Sequence, residues 1–226
     1  MEHSNAVVSP QAGRGTDDVV VMSTELCQRI LTTAQDIHGA GLKSFGLLVA
    51  EPGADRYPLH ATDVIFFDPR KNRRNDPRYR CAFHAQGDYF RRYDDAGFVA
   101  DPAELLAVCR EIEDSGREIV APFHSHRRQP ANFSVIDYQL HNPAFPWHLI
   151  ISLRDPEQPE LQPFRVRKAD AAFGISENDV RQGSHLPYEG PGVEPLGLLV
   201  KGPGIVIDGL VRALGMAGPA RIPAAV

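Results

Sequence analysis

Apolar residues recur every three or four positions in the segment 23–41, which is the pattern of a helix with one buried face. The stripe consists of Leu26, Ile30, Ala34 and Ile37. Ser23 or Thr24 can cap the start of this helix. Gly39 or Gly41 can end it, because glycine readily adopts the backbone conformation that follows a helix.

The start and stop signals of a second predicted helix are stronger. Asp101 is the N-cap, Pro102 occupies the first helical position and Glu104 completes a capping box. Gly116 ends the helix. The apolar positions expected to face the core are Leu105, Cys109 and Ile112. Cys109 is therefore predicted to be a core residue and not a reactive thiol.

Short runs of β-branched, aromatic and aliphatic residues predict strands, since such side chains suit a pleated and buried surface. The runs are 44–50, 62–67, 118–123, 147–153 and 161–167. The order helix, strand, strand, helix and then three strands predicts a mixed α/β layer structure. The third run leads straight into two histidines, His124 and His126.

Other parts of the chain have weaker patterns. Residues 1–17 are polar and aperiodic, which predicts a flexible N-terminal tail. The basic segment 68–80 is interpreted as a solvated surface loop, and 87–98 as one or two irregular helical turns. Residues 176–226 are rich in Gly and Pro and predict a C-terminal extension, in which a hairpin and a short helix near 207–215 could form.

Composition narrows the class of protein. The 226 residues fit one domain with extensions, and the net charge of -5 argues against nucleic-acid binding. Cys27, Cys81 and Cys109 lack metal-type spacing, which favours a reducing compartment over a thiolate zinc site. No apolar run reaches the roughly 20 residues of a membrane helix, and the N-terminus lacks the core of a secretory signal. We therefore expect a cytoplasmic protein that binds no membrane.

The segment FHSHRRQPANFSVID carries the clearest chemical signal. His124 and His126 lie two positions apart at the end of a predicted strand, so both imidazoles point to the same face. A short loop can turn back and start a helix at Ser134, and Asp137, one turn into that helix, can reach the same point. Two imidazoles, one carboxylate and a water form the ligand set of an open catalytic zinc site. Ser134 would lie near the open position, where it could donate a hydrogen bond to a developing oxyanion.

Each half of this segment also has a purely structural explanation. His-x-His is common by chance, and Ser134 with Asp137 forms a plain capping box. The combination H-S-H-x7-S-x2-D directly after an apolar strand is far more specific than either half. It predicts a metal site in which bound zinc would lower the pKa of its water to roughly 7.

HSHRRQPANFSVID resembles the signature of the JAMM (MPN+) zinc metalloprotease family, whose pattern is H-[ST]-H-x7-S-x2-D. The resemblance implies an α/β domain over 18–175 with the MPN fold, a mixed, curved β-sheet flanked by helices in cytidine-deaminase-like layering. It also implies that His124, His126 and Asp137 bind zinc, and that a serine, Ser134, stabilises the tetrahedral intermediate. Family members hydrolyse peptide or isopeptide bonds, and bacterial members process small sulfur-carrier proteins.

One position departs from the family pattern. The family carries a catalytic Glu at the start of its first strand, in a sequence resembling E-x-C-G-L-L, whereas this chain has Lys43 followed by SFGLL. Lysine could act as a base only if its pKa were strongly depressed. Three explanations stay open: another side chain moves the proton, a good leaving group such as a thiolate needs no general acid, or the metal is retained without hydrolysis. Glu51 lies about 26 Å from Lys43 along an extended strand. The other residues considered for the first explanation are Asp36, His38, His84 and Asp88.

Arg127 and Arg128 follow the second histidine, where the family commonly has proline. Two guanidiniums beside a metal would favour an anionic substrate through bidentate hydrogen bonds, although both could instead face solvent. His141 lies one helical turn beyond Asp137 and is a candidate hydrogen-bond partner for the site. His148, on a predicted strand, is interpreted as a packed residue.

The sequence therefore predicts a JAMM-type zinc metallohydrolase that cleaves an amide, isopeptide or thioester bond. Its substrate is expected to be the C-terminus of a small ubiquitin-like or sulfur-carrier protein, or a small anionic biosynthetic intermediate. The alternative is a catalytically inactive MPN-like scaffold that docks on a partner. The basic loop alone would suggest nucleic-acid processing, which the acidic balance disfavours. The C-terminal extension could cover the active site or form a homodimer contact.

Overall fold

The computed structural model describes residues 18–52, 59–168 and 184–202, together with the backbone of 205–208. The predicted N-terminal tail, 1–17, lies outside this part of the chain. Within the described residues the chain forms nine strands in two sheets and five α-helices. None of these helices is both long and apolar enough to cross a membrane.

The larger sheet has six strands in the order β3-β2-β4-β5-β6-β7. They are β2(Phe45–Ala50), β3(Asp63–Phe66), β4(Glu118–His126), β5(Trp147–Ser152), β6(Glu160–Val166) and β7(Val193–Pro195). β4 and β5 are parallel and the other neighbours are antiparallel, so the sheet is mixed. The five predicted strands and the mixed α/β class are confirmed.

The smaller sheet joins segments from the two ends of the described chain. It consists of β1(Val19–Ser23), β8(Gly197–Gly202) and β9(Ile205–Asp208). β1 runs parallel to β8, and β8 pairs antiparallel with β9, which agrees with the hairpin predicted in the C-terminal extension. The helix predicted near 207–215 is wrong at its start, because residues 207 and 208 belong to β9. The rest of that predicted helix lies outside the described residues.

The helices are α1(Thr24–Gly39), α2(Pro77–Ala85), α3(Asp88–Arg92), α4(Pro102–Asp114) and α5(Val135–Leu140). Ser23 caps α1 as predicted, accepting a hydrogen bond from the backbone N–H of Leu26 at 3.0 Å. Three residues of the predicted stripe, Leu26, Ile30 and Ala34, pack into the largest core cluster, which also takes side chains from both sheets. The fourth, Ile37, is only half-buried and does not belong to that cluster. Trp147 and Phe123, from adjacent strands of the larger sheet, are fully buried in that cluster. This core packs against β4, the strand that carries both histidines, through Ala121 and Phe123.

The face that α4 buries differs from the predicted one. Leu105 is 38% exposed and Cys109 is only half-buried, so the assignment of both to the core is wrong. Ile112 is buried as predicted, and Val108, which was not predicted, packs with it against the cluster around β2. Apolar residues occur on more than one side of this helix, and their spacing alone did not select the buried side. Glu104 completes no capping box, because its carboxylate accepts from the N–H of Asp68.

The basic segment 68–80 is not a solvated loop. It forms two 3-10 turns, Pro69–Lys71 and Arg73–Asn75, and then the start of α2. Arg74 is fully buried, and its guanidinium donates to the backbone carbonyls of Ala96, at 2.8 Å, and Phe90. A guanidinium has five donors in a rigid fork, so it can satisfy several carbonyls that no backbone N–H reaches. Arg74 therefore fastens the segment after α2 to the 3-10 turn that precedes α2.

Candidate metal centre

The two predicted ligand histidines lie inside β4 and not beyond its end. As residues i and i+2 of a strand, His124 and His126 face the same side of the sheet. Ser125 faces the other side, and its N–H donates to the carbonyl of Ser44 at 2.8 Å while its Oγ accepts from the N–H of Ser44 at 3.0 Å. Pairing of β4 with strands on both sides therefore fixes the direction of both imidazoles.

The third predicted ligand, Asp137, is brought to the same point by the start of α5. Ser134 is the N-cap of this helix, and the reciprocal capping box is present. The Oδ2 atom of Asp137 accepts from the backbone N–H of Ser134 at 2.9 Å and from its hydroxyl at 2.5 Å. The hydroxyl has a single proton, so in this arrangement Ser134 orients the carboxylate. Donation to an oxyanion would require its rotation.

The three side chains converge on one point and are all buried. The Nε2 atoms of His124 and His126 are 3.1 Å apart. Asp137 Oδ1 lies 3.0 Å from the Nε2 of His124, and Oδ2 lies 3.4 Å from the Nε2 of His126. Ligand atoms around a tetrahedral zinc with bonds of about 2.0–2.1 Å are roughly 3.3 Å apart. The donor set predicted from the sequence is therefore assembled at distances that suit a small metal cation.

Hydrogen bonds on the far side of each imidazole determine where the ring protons lie. The Nδ1 of His126 lies 2.9 Å from the carbonyl oxygen of Pro130, which can only accept. In a neutral ring the proton is then on Nδ1, and the Nε2 lone pair points into the site.

A second chain of contacts does the same for His124. Its Nδ1 is 2.8 Å from the Nε2 of His148, whose Nδ1 is 3.2 Å from the Nδ1 of His141. The chain ends where the Nε2 of His141 donates to the carbonyl of Phe145 at 2.9 Å. Because that carbonyl can only accept, neutral His141 must accept from the Nδ1–H of His148, and neutral His148 must accept from the Nδ1–H of His124. The Nε2 of His124 is then left without a proton. We call His124, His148, His141 and the Phe145 carbonyl the histidine relay.

The charge states agree with this assignment. Burial lowers the pKa of His124 to about 4 and holds the pKa of His148 well below its ordinary value. The carboxylate of Asp137 is stabilised in its ionised form, because its Oδ2 accepts from the backbone N–H and the hydroxyl of Ser134. Two neutral imidazole lone pairs and an ionised carboxylate thus meet with no proton to share. A cation would satisfy all three, so the group can hold a metal.

His141 and His148 make contacts in the structure that the sequence did not indicate. His148 is packed, as interpreted, but it also contacts the Nδ1 of a ligand histidine. The backbone N–H of His141 donates to the carbonyl of Asp137, while its imidazole joins the relay and does not contact the carboxylate. The spacing of these residues could not indicate the relay, because the contact depends on the pairing of β4 with β5.

The donors open into a cleft with a volume of about 160 Å³. Tyr89, Phe90 and Phe98 form part of its wall, which belongs to the segment that Arg74 fastens. The cleft also contains Lys43, the residue at the family's glutamate position. The proton-transfer candidates chosen from the sequence do not line it within the described part of the chain. These are Asp36, His38, Glu51, His84 and Asp88.

Arg127 and Arg128 reach the cleft but both are already paired. Arg127 lies 2.6 Å and Arg128 2.7 Å from the carboxylate of Asp95, which the sequence did not single out. Tyr93 also stacks against the guanidinium of Arg128, at 4.4 Å from the ring centre. One carboxylate thus neutralises half of the charge of the pair.

Known proteins resemble this chain in family, sequence and structure. The family model described as prokaryotic homologs of the JAB domain matches residues 54–167, which include His124, His126 and Asp137. The CysO-cysteine peptidases of Mycobacterium tuberculosis and Mycobacterium bovis are each 25% identical to this chain over 153 residues, covering 68% of this chain and 86% of the relative. The solution structure of protein DSY2949 from Desulfitobacterium hafniense is 20% identical with a TM-score of 0.52, covering 80% of this chain and 92% of that one. The structural likeness supports the fold.

Proposed function

The chain belongs to the family of prokaryotic homologs of the JAB domain, and from this premise we propose that it is a zinc-dependent hydrolase of the JAMM type. The proposed reaction is cleavage of an amide, isopeptide or thioester bond at the C-terminus of a small ubiquitin-like, sulfur-carrier protein. The names of the mycobacterial relatives, CysO-cysteine peptidases, support a carrier-protein substrate. The observation that carries the proposal is the convergence of the side chains of His124, His126 and Asp137 at one point of a cleft.

In the proposed reaction His124, His126 and Asp137 hold the zinc. When bound, the metal supplies Lewis-acid polarisation of the scissile carbonyl and a water that ionises near neutral pH. The relay and the carbonyl of Pro130 keep both imidazoles in the tautomer that the metal needs. Ser134 orients Asp137 and, after rotation of its hydroxyl, could donate to the oxyanion.

The direct test is hydrolysis of a carrier-protein conjugate. Zinc-loaded protein is incubated with a small sulfur-carrier protein that bears one cysteine on its C-terminal carboxylate, and mass spectrometry measures loss of that residue. We expect cleavage that a chelator abolishes and zinc restores. Ser134→Ala should reduce turnover by about 10²-fold if its hydroxyl reaches the oxyanion. A catalytically inactive scaffold would cleave nothing in either form, and that result on a panel of carrier conjugates would refute the proposal.

The histidine relay leads to a separate prediction about metal affinity. His148→Phe keeps an aromatic ring in the buried position but removes the acceptor for the Nδ1–H of His124. We expect the affinity for zinc to fall by about 10–100-fold while the far-UV circular dichroism stays unchanged. Competition with a chromogenic chelator measures the affinity. His84→Phe, at a histidine outside both the cleft and the relay, is the matched control.

His141→Phe breaks the same relay one contact further out. The double variant with His148→Phe should have little less affinity for zinc than either single variant, because either change alone leaves the tautomer of His124 undetermined. Fully additive losses would show that the two rings act independently, and the relay would be discarded.

A further inference from the structure

Lys43 is held next to the metal donors by the backbone around it. The following residue, Ser44, is bonded on both sides to Ser125, which separates the two ligand histidines. Phe45 then pairs with His124 in the register of β2 and β4. Lys43 itself is only 9% exposed, lines the cleft, and has its Nζ 5.6 Å from the centre of the Phe98 ring.

The ammonium group of Lys43 has no hydrogen-bond acceptor and no ion-pair partner among the residues that the structure describes. The two carboxylates of the cleft wall contact other side chains. Asp95 pairs with the two arginines, and Asp137 lies against His124 and His126. Burial lowers the pKa of Lys43 to about 8, against the attraction of Asp137 and Asp95. An unpaired buried cation is unfavourable unless a ligand supplies the missing anion.

The cleft also has an excess of positive charge, which likewise favours an anionic ligand. Its wall contains three basic side chains, Lys43, Arg127 and Arg128, and two acidic ones, Asp95 and Asp137. A bound dication would increase this excess. One unpaired ammonium, in a wall that also contains Tyr89, Phe90 and Phe98, suits one compact monoanion, in contrast to a polyanion, which needs several donors.

We propose that Lys43 is a specificity-determining residue that binds a free carboxylate of the substrate. The inference rests on the proposed function and deepens it: the amine released by hydrolysis would belong to a terminal amino acid whose α-carboxylate pairs with the Lys43 ammonium. The role that the sequence suggested for Arg127 and Arg128 would thereby pass largely to Lys43, because Asp95 already holds the arginine pair. Substrates that end in a carboxamide, or that continue beyond the released residue, would bind weakly.

The test compares two peptides that differ only in their terminal group. Acetyl-Ala-Gly-Ala and its carboxamide lack thiols that would bind the metal, and calorimetry on the zinc-loaded protein gives both dissociation constants. We expect the acid to bind about tenfold more tightly than the amide. Lys43→Met should bring the ratio close to one, whereas Lys43→Arg should retain the preference. Lys71→Met, at an exposed lysine outside the cleft, should leave the ratio unchanged.

Further measurements distinguish this role from others. Lys43→Met should melt at the same temperature as the unmodified protein or higher, since it removes an unpaired buried charge. A lowered melting temperature would reveal a structural role and overturn the proposal. So would loss of the preference in Arg127→Gln but not in Lys43→Met. If peptides are cleaved, Lys43→Met should raise KM for the acid alone. An equal fall of kcat for acid and amide would instead identify Lys43 as a proton-transfer group.

The same measurements show separately whether the hydrolase proposal or the carboxylate-binding proposal is wrong. If the zinc-loaded protein cleaves no peptide or conjugate, the hydrolase proposal is lost, but the ratio of acid to amide binding still tests Lys43. If cleavage occurs with no preference for the acid, the hydrolase proposal stands and the carboxylate site is rejected.

Discussion

His126→Ala should reduce bound zinc from about one ion per chain to a trace and lower turnover by at least about a thousandfold. Two of three protein donors would remain, and the metal-bound water that reacts at neutral pH would be lost. His126 is the most informative ligand to remove, since His124 belongs to the histidine relay and Asp137 completes the cap of α5. Elemental analysis after gel filtration, together with the conjugate assay, measures both effects.

The control for His126→Ala is His84→Ala, which removes an imidazole that does not line the cleft. It should retain both zinc and turnover. Undiminished zinc in His126→Ala, with the fold intact by circular dichroism, would mean that the metal is held elsewhere, and the assignment of the centre would be wrong.

Arg74→Met should lower the free energy of unfolding by about 3–5 kcal/mol, which for a chain of this size corresponds to a fall of roughly 10 °C in melting temperature. Methionine fills much of the volume but leaves the carbonyls of Phe90 and Ala96 buried without their donor. Those carbonyls belong to the segment that forms one wall of the cleft. Differential scanning calorimetry measures the change.

The matched control is Arg80→Met, which replaces an exposed arginine on α2 and should change stability by less than about 0.5 kcal/mol. Because the metal donors come from β4 and α5, Arg74→Met should still bind zinc at temperatures where it is folded. Substrate binding should weaken more than metal binding. Equal melting temperatures for both arginine variants would contradict the fastening role of Arg74.

The convergence of the three candidate metal ligands could be predicted because much of their geometry is local. The shared face of His124 and His126 follows from strand periodicity, and the position of Asp137 follows from the third residue of a helix capped by Ser134. Both rules operate over a few residues, so no knowledge of the sheet is needed. The strands and α1 were predicted for the same reason.

The contacts that surround the donors could not be predicted, because they depend on tertiary pairing. His148 reaches His124 only because β5 lies parallel to β4, and Asp95 meets Arg127 only because the cleft wall folds back over β4. Arg74 was interpreted as solvated because its neighbours in sequence are polar, whereas its carbonyl acceptors lie 16 and 22 positions further along. The buried side of α4 was likewise set by what β2 presents to it, through Val108 and Ile112.

The parallel pairing of β1 with β8 has a consequence for how the protein is made. The Thr24 hydroxyl donates to the carbonyl of Lys201, 177 positions away. During synthesis β1 leaves the ribosome long before its partner strand, and closure over such a separation is slow. Val20 and Met22, both fully buried in the finished fold, would meanwhile be exposed to water and to chaperones. The buried side chains of β1 therefore reach their final environment only after β8 has been synthesised.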